Sequence, residues 1–406
     1  MSVRSADIGL FTPDYYQDPH PVLARLRDAA AAVHEFTFPV GDIRMKLLTR
    51  YEDVRTLLAD GRFSTQGRTW ARQDFRDAGL VTGAGTVLQY SLPVIDMPFH
   101  TEVRRLAMPS FTPARSRMWR DRIEGFVQRA LDRCAQLGEF DVMDDFAADV
   151  TAQTVGALLG FPENRFAELA HTIEQGFPTD PALMDQVPIA FGKVCAYARE
   201  LIDEKRARPG QDLTSDFVAA ADQEGGIGED YLEALVAVVI LGGADSSRSF
   251  IGNSVLALLD HPGQWRGEEP AASPVGPEAV EELLRYTSSQ ASAFIRFATQ
   301  DCDLLGVPVE AGTPVLASLL AANHDPEVYP EPGKLDFARQ GPRHLGLGHG
   351  LHNCLGAAMA RLQGEVALGA LTRRFPGLEL AMPRAEVRYA EHWFMRRVIA
   401  LPVSGR

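Results

Sequence analysis

Three observations predict a mainly α protein with a minor β region. From 100 to about 223 apolar residues recur at helical spacing almost throughout, and 231–260 forms one longer run that is apolar on nearly every side. Strand-like runs, by contrast, are short: 33–38, 43–49, 292–298, 303–305 and 307–309.

In chain order, 14–30 reads as a helix, followed by the strands 33–38 and 43–49 and a helix over 51–59. From 61 to 98 no period holds, and Gly67, Gly79, Gly83, Gly85 and Pro93 punctuate the text. So long an aperiodic stretch in a compact protein is usually a lid or a binding loop. The helical stretch after His100 breaks near Phe161-Pro162 and again across 176–188. The run 231–260 closes at His261-Pro262 and would be roughly 45 Å long, enough to cross the molecule as a central, buried helix. A further helix is expected over 355–375, with Met359, Leu362, Val366 and Ala370 on one face, and 387–403 reads as a hairpin.

Composition narrows the class. With 46% hydrophobic and 23% charged residues the chain is an ordinary globular protein, and a net charge of −14 excludes a dominant nucleic-acid surface. No uninterrupted apolar run of membrane-spanning length is visible, so no membrane partner is expected. The first residues lack the basic flank and apolar core of a secretory leader, so a cytoplasmic location is expected. Cys134, Cys195, Cys302 and Cys354 lie far apart without metal-ligand spacing, which fits reduced thiols. Arg104, Arg105, Arg115, Arg117, Arg120 and Arg122 crowd one stretch, as a solvated helix face or as a docking patch for an acidic protein.

Two segments carry chemistry. In the middle of the long helix stands Gly242-Gly-Ala-Asp-Ser-Ser247. Two interior glycines cost about 1 kcal/mol each relative to alanine, and a buried acid costs more unless it has partners. That combination points to a site, although a kinked helix with hydroxyls bonded back to their i−4 carbonyls would read the same way. The second segment is Leu345-Gly-Leu-Gly-His-Gly-Leu-His-Asn-Cys-Leu-Gly356. Its glycines let the backbone turn tightly and approach a flat ligand, and Cys354 falls just before a helix whose N–H groups favour thiolate. An inert cysteine, or a metal cluster of His344, His349, His352 and Cys354, are the competing readings; zinc sites usually draw on two separated ligand pairs.

The segment from Leu347 to Gly356 resembles the haem-binding signature of the cytochrome P450 family, and three further motifs match in order across nearly the whole chain. Glu282-Leu-Leu-Arg285 resembles the family's Glu-x-x-Arg pair, with Arg339 as its third member. Asp96-Met-Pro-Phe-His100-Thr-Glu-Val-Arg104 resembles the segment whose His and Arg hold haem propionates. Gly243-Ala-Asp245-Ser246 resembles the family's Gly-x-acid-Thr oxygen groove. The resemblance implies one catalytic domain over 1–406 with the P450 fold, its haem buried between the central helix and the cysteine loop. It implies haem b (iron protoporphyrin IX), with Cys354 as axial ligand of the iron and Gly348 and Gly356 beside it. It further implies His100, Arg104, Arg296 and His352 at the propionates, and Asp245 and Ser246 as the proton relay. Glu282, Arg285 and Arg339 would form a structural network.

The resemblance also places substrate along 66–95, 160–195, 239–243, 289–294 and 392–394. The expected lining is Leu88, Phe177, Val239, Gly242, Gly243, Ser292, Phe294 and Trp393, with Gln290 and His392 as possible orienting groups. Many of these residues are apolar, so a mainly apolar substrate of small or medium size is expected; steroid, terpenoid, aromatic acid and carrier-bound peptide all fit. The implied reaction inserts one atom of O2, with electrons from NAD(P)H through a ferredoxin reductase and a ferredoxin docking near 104–122, Arg343 and Arg361. Two departures stand out: Ser246 where threonine is usual, which loses the methyl that restricts χ1, and Leu347 where phenylalanine is usual. They leave room for coupling, desaturation or peroxide-driven oxidation, although peroxide-driven relatives tend to replace the acid–alcohol pair. A haem sensor without catalysis is the third reading, and the intact acid–hydroxyl groove argues against it.

Overall fold

The computed structural model describes residues 3–179, 181–223, 225–266 and 275–405. Helix Glu229–Asp260 runs through the middle of the structure. Glu229 and Asp230 in its first turn complement the positive end of its dipole, and His261-Pro262 stops it. It packs against helices Asp149–Leu159, Val187–Ala207, Pro277–Thr287 and Ala357–Arg374 and against the π-helical turn Val142–Ala148. By length and composition it would also cross a membrane, but most of its apolar surface is buried against these neighbours. The main core is gathered around it.

The minor β region lies to one side. Its largest sheet has six strands in the order Val3–Arg4, His34–Phe38, Ile43–Leu48, Pro314–Ala317, Arg296–Ala298 and Phe63–Ser64. Ile43–Leu48 pairs antiparallel with His34–Phe38 and parallel with Pro314–Ala317. Three of these strands escape sequence reading for physical reasons. Val3–Arg4 and Phe63–Ser64 are too short to show a period, and Pro314–Ala317 is buried on both faces, which erases the alternation.

Three expectations need correction. The helix expected over 14–30 is two helices, Pro13–Gln17 and His20–Asp28, divided where Pro19 can donate no backbone hydrogen bond. The helix after Cys354 begins at Ala357, two residues later than expected. The hairpin expected over 387–403 survives only as a short ladder, a bridge between Tyr389 and Val398 flanked by bonds from Ala390 N to Arg397 O and Ile399 N to Arg388 O. Between them the chain turns inward and pairs with another segment: Ala291 N donates to Phe394 O and Arg396 N to Ser289 O. Pro402–Ser404 then pairs with Glu139–Asp141 and Glu379–Leu380.

Candidate active site

The cysteine loop is set by backbone geometry. Gly348 and Gly350 have φ of 73° and 69°, a region other residues rarely enter, and a Cβ on Gly350 would also meet the Leu58 carbonyl at 2.7 Å. Cys354 N donates to Leu347 O at 2.9 Å, and the Asn353 side chain donates to the Leu347 and Gly348 carbonyls. The loop is thereby closed on itself, with the Cys354 side chain accessible to solvent although it lies deep in the protein. Burial pushes the thiol pKa up; the Gly356 N–H and the cations Arg104, Arg361 and Arg343 pull against that without prevailing. A cation bound at Sγ must therefore displace the proton. Among the described residues no group of three or more His, Cys, Asp or Glu side chains is placed to hold a bare metal ion. The reading of a cluster of His344, His349, His352 and Cys354 finds no support in that geometry.

Beside this loop the fold gathers basic groups. Helix Phe99–Ala107 carries His100 and Arg104 one turn apart, and strand Arg296–Ala298 begins with Arg296. The His100 ring is wholly buried and neither of its nitrogens has a partner. Arg296 is 3% exposed and its Nε is likewise unpaired. Burial drives His100 down to about 4, with His352, Arg104 and Arg296 adding their repulsion, and takes Arg296 down to about 10. Each buried group left unpaired costs about 1–3 kcal/mol. An acidic ligand edge placed between them would remove that cost. The other two members are partly engaged. Arg104 Nη1 donates to Asn353 O at 2.7 Å, tying its helix to the cysteine loop. His352 packs 4.6 Å from the His100 ring, with Nδ1 at 3.2 Å from Leu92 O and Nε2 at 3.6 Å from Asp96. Burial alone would raise the Asp96 carboxyl, but bonds from His352 and Ser64 overcome it and hold it below the usual range.

Glu282, Arg285 and Arg339 form one network. Arg285 reaches both Glu282 oxygens at 2.7 and 2.8 Å, Arg339 Nε reaches Oε1 at 3.0 Å, and Asp336 N adds a fourth bond at 3.1 Å. Their remaining donors bind the carbonyls of Asn323, Pro330, Pro332 and Lys334. The surface-pair value of a fraction of a kcal/mol does not apply here, because all three side chains are under 10% exposed.

On the central helix, one face opens inward: Val239, Gly242, Gly243 and Ser246 are accessible at spacings of three and four, while Leu241, Ala244 and Asp245 are buried. The two glycines differ in reason. A Cβ on Gly243 would strike Val155 at 2.9 Å, whereas one on Gly242 would meet nothing within 4 Å. Packing requires the first, and the second widens the open face. Ser246 Oγ donates to the Gly242 carbonyl at 2.5 Å, the back-bonded arrangement weighed from the sequence.

Asp245 has a partner the sequence did not disclose: its Oδ1 accepts from Arg397 Nη1, and Arg397 Nη2 donates to Phe177 O at 2.6 Å. Both charged side chains are under 10% exposed. The available signal was Arg396-Arg397 between the apolar Met395 and Val398, where alternation must turn one arginine inward.

The residues expected at substrate lie on several elements, each with packing partners of its own. Leu88 belongs to the main core, Phe177 packs beside it, and Phe294 meets Phe394 edge-on at 4.8 Å. Ser292 donates to the Trp393 carbonyl at 3.4 Å, while the Trp393 ring lies edge-on to Phe38 in the cluster behind the large sheet. The arginine-rich stretch is largely self-neutralised: Arg115 pairs with Asp216, Arg120 with Glu124 and Glu365, and Arg122 with Glu163. Arg361 pairs with Glu281, so among the described residues Arg105, Arg117 and Arg343 remain exposed without an acidic partner.

Comparison with known proteins identifies the family. The family model Cytochrome P450 matches residues 274–391. Cytochrome P450 monooxygenase PikC of Streptomyces venezuelae is 34% identical over 405 residues, covering 98% of this chain and 94% of the relative. Vitamin D(3) 25-hydroxylase of Pseudonocardia autotrophica is also 34% identical, covering 97% of this chain and 96% of the relative. The crystal structure of myxobacterial CYP267B1 in complex with myristic acid superposes with a TM-score of 0.89 at 30% identity, covering 98% of each chain. Over nearly its whole length this chain belongs to the cytochrome P450 family, and it is a P450 monooxygenase.

Proposed function

We propose that residues 1–406 act as one catalytic unit that binds haem b and inserts one atom of O2 into a mainly apolar, small or medium organic substrate of secondary metabolism or catabolism. One juxtaposition carries the reading: Arg104 ties its helix to the Asn353 carbonyl beside the accessible Cys354 thiol, and the same helix carries His100, whose buried nitrogens are unpartnered and whose ring meets His352 at 4.6 Å, while the buried Arg296 Nε is likewise unpaired. A dianionic macrocycle with a central cation fits those groups better than a bare ion or a neutral ligand. Cys354 would hold the iron, with Gly348 and Gly356 allowing close approach, and His100, Arg104, Arg296 and His352 would hold the propionates. When bound, the haem supplies the centre at which O2 is reduced and its O–O bond cleaved.

The chain's own residues then divide the remaining work. Glu282, Arg285 and Arg339 fix the segment leading into the cysteine loop. The open face at Gly242 and Gly243 admits a small molecule against the helix. Ser246 holds a proton at Oγ and delivers it by rotating away from the Gly242 carbonyl. Asp245 replenishes that proton, and Arg397 holds its carboxylate in place between transfers. Electrons come from NAD(P)H through a ferredoxin reductase and a ferredoxin, docked on the free cations Arg105, Arg117 and Arg343 beside the exposed Met118.

Turnover under 18O2 with a surrogate ferredoxin and reductase, against macrolide, steroid and terpenoid substrates, tests this. One labelled oxygen per product molecule is expected. Oxidised product without label would favour coupling or desaturation, a reading that the back-bonded Ser246 hydroxyl also supports.

A further inference from the structure

Asp245, Ser249 and Asn253 stand at intervals of four on the central helix, so their side chains follow one face in steps of about 6 Å. One stretch of the C-terminal segment lies along that face. Arg397 binds the Asp245 carboxylate, while Asn253 donates from Nδ2 to Arg396 O at 2.7 Å and accepts at Oδ1 from Val398 N at 3.2 Å. Ser249 lies between these two anchors and is 0% exposed, yet its hydroxyl has no partner among the described residues. A helical serine can satisfy itself on the i−4 carbonyl, as Ser246 does on Gly242. Ser249 does not, and a buried hydroxyl left unpaired is destabilising unless water meets it.

Beyond Asn253 the same face reaches a cavity of about 440 Å³. Asn253, Ala257 and Asp260 line it from the helix, and His20, Tyr286 and Tyr389 from other elements. None of the residues assigned to the haem takes part in it. Its acid, imidazole and phenols suit it to water, and Asn253 Oδ1, an acceptor with two lone pairs, gives one to Val398 N and keeps one for a water at the inner wall.

We propose that Ser249 and Asn253 form the proton inlet of the site, a water-bridged line from this cavity to the Asp245 carboxylate. The proposal rests on the monooxygenase reading, in which Asp245 resupplies Ser246. Gaps of one helical turn between side chains are of the size that a single water bridges. Water anchored by Asn253 Oδ1 passes a proton to the Ser249 hydroxyl, which gives up its own proton towards Asp245 and is neutral before and after. Asn253 is a positioning residue, because its amide holds the water without itself carrying the proton.

The test uses the haem-loaded protein. In a crystal structure of the wild type an ordered water is expected within about 3.2 Å of Ser249 Oγ, and a dry, unpartnered hydroxyl overturns the proposal without any variant. Turnover is measured with whichever macrolide, steroid or terpenoid the wild type oxidises. Ser249→Ala should lower the rate of product formation by about 10- to 100-fold, approaching the lower end of what positioned proton transfer contributes. KM should stay unchanged, hydrogen peroxide released per NADPH should rise, and the slowing in D2O should exceed that of wild type. Ser249→Thr keeps the hydroxyl and should restore most of each. Ser254→Ala removes another buried, unpartnered hydroxyl, off that face of the helix, and should change none of them. A wild-type rate and D2O response in Ser249→Ala, losses that Ser249→Thr does not restore, or the same losses in Ser254→Ala overturn the proposal. The carbon monoxide spectrum of the same samples shows separately whether the haem–thiolate centre is intact, so failure of the wider reading is not mistaken for failure of this one.

Discussion

The Asp245–Arg397 pair lends itself to a quantitative prediction. Both side chains are under 10% exposed, and Asp245 Oδ1 accepts directly from the guanidinium. Arg397→Met keeps a similar volume but leaves a carboxylate in the interior without a counter-charge. Breaking a buried pair from one side costs about 3–5 kcal/mol. Unfolding entropy of roughly 2.1 cal/mol/K per residue over 406 residues converts that loss into a melting point lower by about 4–6 °C. The double variant Asp245→Asn/Arg397→Met removes both charges and should recover to within about 1 kcal/mol of wild type. Thermal unfolding of wild type, the two single variants and the double variant closes the cycle. A double variant as unstable as Arg397→Met would refute the buried pair.

The other perturbations follow from the same structure. Glu282→Gln leaves the guanidinium groups of Arg285 and Arg339 without their shared carboxylate, and should lower stability by about 3 kcal/mol or more and reduce haem retained on purification; unchanged retention and melting would contradict the network. The His20 and His324 rings lie 4.4 Å apart at a tilt of 55°, burial holding His20 down to about 4 and His324 well below its usual value. Their folded pKa values lie below the unfolded 6.5, so their stability contribution is complete above about pH 6.5 and is lost as pH falls, by up to about 2–3 kcal/mol per pH unit for the two together. Denaturant unfolding at pH 6 and pH 5 measures the slope, and a flat profile would refute it. Ser246→Thr restores a methyl that restricts χ1, and should lower hydrogen peroxide released per NADPH consumed, whereas Ser246→Ala should raise it; equal ratios in all three proteins would remove Ser246 from proton delivery.

How far the sequence carried differs from element to element. The central helix was legible because length, apolarity and the His261-Pro262 stop all agree over one continuous segment. The cysteine loop was legible because its glycines answer to backbone demands that leave a local trace, the positive φ at Gly348 and Gly350. What stayed hidden depends on residues distant in the chain. Pro314–Ala317 acquires its strand identity only between Ile43–Leu48 and Arg296–Ala298. Arg397 meets Asp245 across 152 residues, and no spacing rule connects them. How much of the arginine charge is paired stayed hidden for the same reason, because Asp216, Glu163 and Glu365 lie far in the chain from the arginines they neutralise.

The optical spectrum of the reduced protein under carbon monoxide, recorded beside Cys354→Ala, bears most directly on the haem–thiolate assignment. A strongly red-shifted Soret band that disappears in the variant is the predicted result. A band typical of histidine-ligated haem, the same band in both proteins, or no haem in either would contradict the assignment of Cys354 and the chemistry built upon it.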